Sequence, residues 1–172
     1  MRRAAGSLLL LALVALVVFA DGGSDGGTPD QGGTAEAGMR SLHGQVSRVV
    51  DGDTIEVRLA GGEEEVRYIG IDTPETVKPD TPVQCFGPQS SAANKRLVEG
   101  KPVRLVFDRE RRDVYGRLLA YVYAGEEFVN AALVRGGYAR TLTIPPNTAH
   151  AGLFHRLARA AGRAGRGLWR AC

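Results

Sequence analysis

The chain predicts a mainly β domain with helices packed on it: a small, strongly curved five-stranded barrel carrying three α-helices. Two observations predict it. Three β-branched segments with period-two alternation follow one another between residues 42 and 71, and a proline-opened helical segment comes directly after them. Two more apolar strands and two apolar-faced helical segments then complete the chain.

Residues 42–50 form the first strand, with Leu42, Gly44 and Val46 set against His43, Gln45 and Ser47. Residues 54–59 form the second, with Ile55, Val57 and Leu59 on one face and Glu56 and Arg58 on the other. Ala60-Gly61-Gly62 turns the chain, and residues 64–71 return as the third strand of a meander. Pro74, Pro79 and Pro82 make residues 72–85 a loop. Pro88 stands at a first helical position, so residues 89–99 form a helix that Gly100 stops and that packs through Ala92, Ala93, Arg96 and Leu97. Residues 103–107 and 118–123 are strands joined by a charged loop. Residues 127–135 read as a short helix with Phe128, Ala131, Ala132 and Val134 apolar. Pro145-Pro146-Asn147 introduces the last helix, from 148 to about 163, whose Leu153, Leu157 and Ala161 fall four apart beside Phe154 and Ala158. Gly162, Gly165 and Gly167 fray its end. An OB-like barrel of this kind presents ligands on its exposed face.

Outside the barrel, Arg2 and Arg3 precede an uncharged apolar run of 13 residues, 8–20, closed by Val18-Phe19-Ala20. This is the pattern of a cleavable export signal, residues 1–20, with an uncleaved membrane anchor as the alternative. Residues 21–38 are rich in glycine and lack apolar periodicity, which makes them a flexible linker to the folded domain, 39–172. That domain carries 20 basic against 15 acidic side chains, a balance that suits a polyanionic partner. Cys85 and Cys172 are the only cysteines. Export would permit a disulfide between them; two free thiols, or a link between chains through Cys172, are the other readings. No Cys-x-x-Cys or His-x-x-x-His pair exists, which argues against zinc. His43, His150 and His155 have no partner pattern and read as surface or helix-face residues.

Carboxylates cluster where strands end. Asp51 and Asp53 lie two apart and would share one face of an extended chain, or Asp51-Gly52 would simply turn it. Arg67 and Asp72 lie five apart, on opposite faces of a flat strand, unless Gly70 seats a bulge that brings them to one side. In Asp72-Thr73-Pro74-Glu75 the proline holds Thr73 extended, so that the Thr73 carbonyl and both carboxylates can converge. Arg117 heads a strand, either as a solvated rim charge or aimed inward by Tyr115-Gly116. Oxygen donors with guanidinium groups beside them suit a hard divalent cation facing a phosphodiester.

These motifs, in this order, resemble the staphylococcal nuclease (thermonuclease) family. They are Val-Val-Asp-Gly-Asp-Thr at 49–54, Arg67 with Asp-Thr-Pro-Glu-Thr at 72–76, and Asp-x-Tyr-Gly-Arg-x-Leu-Ala-Tyr-Val-Tyr at 113–123. Phe86-Gly87-Pro88, Val129-Asn130-Ala131, Pro146-Asn147 and Gly167-Leu168-Trp169 extend the likeness over residues 42–170. The resemblance implies an OB-fold with three helices and a calcium-dependent phosphodiesterase, monomeric, acting on DNA and RNA with single-stranded or frayed duplex favoured. It implies that Asp53, Asp72 and the Thr73 carbonyl hold Ca²⁺ and that Asp51 supports them from behind. Glu75 would activate or orient water, and Arg67 and Arg117 would grip the phosphate. Tyr115 would donate its hydroxyl to a terminal phosphate, and cleavage would leave 3′-phosphate and 5′-hydroxyl ends. A membrane enters only if the N-terminal segment is retained. The alternative within the family is a non-catalytic nucleic-acid-binding or scaffold module. This chain departs from its relatives at Val114, where they carry lysine, and at Leu142, Thr143 and Ile144, where they carry aromatic residues that border the nucleotide.

Overall fold

The computed structural model describes residues 40–77 and 80–172. The expected signal and linker therefore lie outside the described residues.

Period-two burial builds the meander. β1 (Ser41–Val49), β2 (Thr54–Leu59) and β3 (Gly62–Tyr68) pair antiparallel in sequence order. A register shift between Val46 and Arg48 bends β1, so both Val46 and Val49 reach the core although they lie three apart. β1 also pairs antiparallel with β5 (Pro102–Val106), and β5 with β6 (Leu118–Ala124). β3 meets β6 in a parallel pairing, Val66 opposite Leu118. That last pairing closes the five strands into the expected barrel, which leaves it few open edges. Its interior holds Ile55, Val57, Val66, Leu105 and Val122, all fully buried.

Shorter elements go beyond the sequence expectation. The third strand stops at Tyr68, and the chain turns at Ile69-Gly70 into β4 (Ile71–Asp72). β4 pairs antiparallel with β8 (Arg140–Thr141), placing Asp72 opposite Arg140. Glu127 and Phe128 do not open the second helix; they form β7 (Glu127–Phe128) against β6. The last long helix begins at residue 151, because residues 148–150 are taken up by a turn.

Among the described residues there are four helices where three were expected: α1 (Gly87–Val98), α2 (Val129–Gly136), α3 (Ala151–Arg163) and the short α4 (Leu168–Ala171). α1 buries Ser90, Ala93, Asn94 and Val98, whereas the expected Ala92 and Arg96 face solvent. The buried side is rotated because two polar groups have work inside. Ser90 donates its hydroxyl to the Tyr138 carbonyl at 2.6 Å, and Asn94 bonds both Tyr68 and the Asp51 backbone. α3 buries Phe154 and Ala161, with Leu153, Leu157 and Ala158 partly covered. His150, at the start of α3, turns its ring inward: it stands edge-on to Tyr121 at 4.4 Å and packs against Phe128. Beyond α3 the glycines do not simply fray. The Leu168 N–H donates to the Gly137 carbonyl at 2.9 Å, which docks the end of the chain onto α2. Cys85 and Cys172 form a disulfide that joins the loop before α1 to the residue after α4. Among the described residues, no helix is long and apolar enough to cross a membrane.

Candidate active site

At the open end of the barrel, where β1 runs into β2, residues 51–53 form a bend rather than extended chain. The Val50 and Asp51 N–H groups both donate to the Thr54 carbonyl, and the Asp53 N–H donates to Asp51 Oδ1 at 3.0 Å. Asp51 and Asp53 thus do not share an extended face. Asn94 on α1 fixes this bend from outside, its Nδ2 donating to the Asp51 carbonyl at 3.0 Å. Gly52 is required here by space: a Cβ on it would lie 2.5 Å from the Thr73 hydroxyl.

The close approach of Thr73 brings two distant segments together. Its N–H and its hydroxyl donate to Asp53 Oδ2 at 2.6 and 2.9 Å. Asp53 Oδ1 accepts from the Thr54 hydroxyl and pairs with one terminal nitrogen of Arg67. The other terminal nitrogen of Arg67 lies 2.7 Å from Asp72 Oδ1. One guanidinium therefore bridges the two carboxylates, in the charge-assisted geometry that suits arginine. Register explains how it gets there. Thr54 stands opposite Arg67 on the β2–β3 ladder, and Gly70, at φ +81°, reverses the chain so that Asp72 returns to Arg67. A side chain at Gly70 would also strike the Phe154 ring at 2.5 Å.

Asp51, Arg67, Asp72, Thr73, Glu75, Tyr115 and Arg117 line one cleft of about 590 Å³. Asp53 does not line it; it is 0 % exposed, behind Arg67 and Thr73. Burial pushes the Asp51 carboxyl above its usual range, Arg67 pulls it back down, and Glu75 adds to the rise.

Glu75 belongs to the loop. Its Oε1 accepts the N–H groups of Thr76 and Val77, both at 2.9 Å. Its own N–H donates to Gln84 Oε1 at 3.0 Å, while the Gln84 N–H donates to the Glu75 carbonyl at 2.9 Å. This reciprocal pair closes the neck of the loop one residue before Cys85. Gln84 was not legible as a site residue, since only the folded loop brings it to Glu75.

Arg117 is aimed by a carboxylate turn. Asp113 Oδ1 accepts the Tyr115 and Arg117 N–H groups, and Asp113 Oδ2 accepts from Arg117 Nε at 2.7 Å. The guanidinium is half-buried, 3.8 Å from Glu65, and lies near the Tyr115 ring; it is directed at the cleft instead of standing free on the rim. Glu65 on β3 also lines the cleft, a residue the sequence motifs did not single out. Tyr115 is 81 % exposed.

Beside this cleft lies a more apolar one of about 390 Å³, shared through Arg67, Tyr115 and Arg117 and bordered by Leu119, Leu142 and Ile144. Asn147 anchors its wall, exchanging two 2.8 Å hydrogen bonds with the Glu110 backbone.

The oxygen donors of Asp51, Asp72, Thr73 and Glu75 around the cleft are of the kind a hard divalent cation takes. Asp53 and Asp72 are tied to each other only through the two terminal nitrogens of Arg67, and both Asp53 oxygens already accept from Thr54, Thr73 or Arg67. Among the described residues no three His, Cys, Asp or Glu side chains converge closely enough to hold an ion, so a backbone oxygen such as that of Thr73 would have to complete the set.

Comparison with known proteins gives a consistent picture. Residues 65–171 match the family model described as staphylococcal nuclease homologue. The chain is similar to the thermonuclease of Staphylococcus intermedius, 38 % identical over 169 residues that span 98 % of this chain and 99 % of that protein. It is 45 % identical to the thermonuclease of Staphylococcus hyicus over 121 residues, 69 % of this chain and 72 % of the relative. Endonuclease YncB of Bacillus subtilis shares 45 % identity over 111 residues, 63 % of this chain and 53 % of the relative.

Proposed function

The chain belongs to the staphylococcal nuclease family and is a nuclease, and on that premise we propose that it is an exported, Ca²⁺-dependent phosphodiesterase. It hydrolyses DNA and RNA to 3′-phosphate and 5′-hydroxyl ends. The observation that carries this reading is the single cleft in which Asp51, Asp72 and Glu75 face Arg67 and Arg117.

Asp53, Asp72 and the Thr73 carbonyl would hold the ion, with Asp51 supporting them through the Asp53 N–H. A bound Ca²⁺ supplies charge stabilisation at the phosphoryl oxygen and a place to hold water. Glu75, its backbone fixed by Gln84, takes a hydrogen bond from the attacking water and receives its proton. The two guanidinium groups bind the non-bridging oxygens and stabilise the charge that builds as water adds to phosphorus. The bond from phosphorus to the 5′ oxygen breaks, and that oxygen leaves as a hydroxyl after taking a proton from solvent, while Glu75 returns its own proton to solvent. Tyr115 stands beside Arg117 at the shared edge of the two clefts, and its hydroxyl would donate to a terminal phosphate. Leu142 and Ile144 offer an adjoining base contact without aromatic stacking, so mononucleotide binding is weak. The charged pair and apolar run of residues 2–20 support export.

The test uses purified chain on single-stranded DNA and RNA, with Ca²⁺ or with chelator, and identifies the ends released. Calorimetric titration with Ca²⁺, in parent and Asp72→Asn, reads the ion independently of turnover. Ca²⁺-independent hydrolysis, or no heat of Ca²⁺ binding in the parent, would overturn the metal assignment.

A further inference from the structure

Charge is divided unevenly along the domain. Residues 39–127 carry thirteen basic and fifteen acidic side chains, whereas residues 128–172 carry seven arginines and no carboxylate side chain. Three of the seven, Arg156, Arg159 and Arg163, sit on the exposed side of α3. Their spacing sets them within about 60° of arc on a helix of 3.6 residues per turn. Among the described residues their guanidinium groups make no ion pair or hydrogen bond. Such an assembly of like charge costs free energy unless something anionic lies across it.

The stripe is linked to the cleft. Arg140 lies directly opposite Asp72 on the β4–β8 ladder, and its guanidinium sits 4.8 Å from the Trp169 ring centre. Thr141 on β8 meets His155 on α3 at 3.4 Å, one residue before the stripe begins. From Asp72 the fold thus leads through a cation and a 38 % exposed aromatic ring to a row of arginines.

We propose that the α3 arginine stripe, with Arg140 and Trp169, is an extended binding surface for the substrate strand beyond the scissile phosphodiester, so that the enzyme holds long single strands far better than short ones. The inference rests on the nuclease reading of the cleft and adds a second contact zone to it. Guanidinium forks match phosphate oxygens, and the partly exposed Trp169 ring, with Arg140 over it, offers a base an apolar contact without regard to sequence. An anionic lipid surface is the poorer match. The apolar side of α3 is spent on the protein core through Phe154 and Ala161, and Trp169 is the one large exposed apolar side chain among residues 150–172.

The test is the binding of fluorescent single-stranded DNA by the full chain in chelator, across a salt series, with a long strand and with a tetranucleotide. Replacing Arg156, Arg159 and Arg163 together by glutamine should lower the salt slope for the long strand by about 2 and weaken its binding at 0.1 M salt by about tenfold to a hundredfold. Tetranucleotide affinity and its rate of cleavage with Ca²⁺ should stay unchanged. The single variant Arg159→Glu, checked by thermal melting, should shift the long strand the same way to a smaller extent. An unchanged slope, or equal losses for both lengths, overturns the proposal. So does arginine-dependent binding to phosphatidylserine vesicles with long-strand affinity unaltered. Because binding is read without turnover, a parent that shows the arginine-dependent slope but cleaves nothing defeats the nuclease reading and leaves this surface standing.

Discussion

The two halves of the cleft are built differently. Arg67 and Asp53 stand at the ends of barrel strands, where register and burial position them: Thr54 is paired to Arg67, Asp53 is wholly covered, and Ile55 and Val66 pack beneath. Glu75 stands in a loop with no regular structure, held by two exchanges with Gln84, two N–H groups on its own carboxylate and a disulfide one residue further on. The first half shares its supports with the fold itself. The second has supports of its own, so its geometry can fail while the barrel stands. Damage to one half should therefore be separable from damage to the other.

Arg67→Ala should have the broadest effect, because it strikes both properties. Loss of its phosphate contact should cost about 10²–10³ in kcat/KM. Asp53 would lose its cation while remaining buried, which should lower stability by about 1–3 kcal/mol. Steady-state kinetics and denaturant unfolding check the pair of effects, and unaltered stability would break the link between this half and the fold.

Glu75→Ala should cut kcat by about 10²–10⁴ while leaving the unfolding midpoint unmoved. A matching fall in stability would show that the loop is part of the barrel's cooperative unit after all. Reducing the disulfide, or replacing both cysteines by serine, should lower stability by about 2–5 kcal/mol, since the bond closes a loop of 87 residues. Both sulfurs lie on exposed residues, so mild reductant should reach them. Activity should fall by a smaller factor than in Glu75→Ala, measured by assay with and without reductant below the melting temperature. Gln84→Ala is the mildest change. It removes one acceptor worth about 0.5–1.5 kcal/mol and should lower kcat several-fold with KM unchanged. A Gln84→Glu variant, which keeps the acceptor, should recover most of that loss.

Much of the architecture was legible because it rests on local pattern. Alternation marked β2, the proline and glycine punctuation bounded α1, and the closed barrel followed from strand count and order. The two-residue ladder of β4 and β8 has no period to read, so the position of Arg140 beside Asp72 could not be foreseen. α1 misled for a related reason: Ser90 and Asn94 look like surface residues until Tyr138, Tyr68 and the Asp51 backbone are brought to them. Within the cleft, residue types and spacing indicated which side chains to watch. The bridging of Asp53 and Asp72 by Arg67 depends on the β2–β3 register together with the reversal at Gly70, two facts that exist only once the chain is folded.

The bond between Cys85 and Cys172 also sets a timetable. A ribosome delivers the first sulfur before α1 and the second only after the described strands and helices have been made. The barrel can gather its core while the neck beside Gln84 is still unlatched. The half of the cleft that carries Glu75 is therefore the part a newborn molecule completes late, and an oxidant arriving too early finds no second thiol to join.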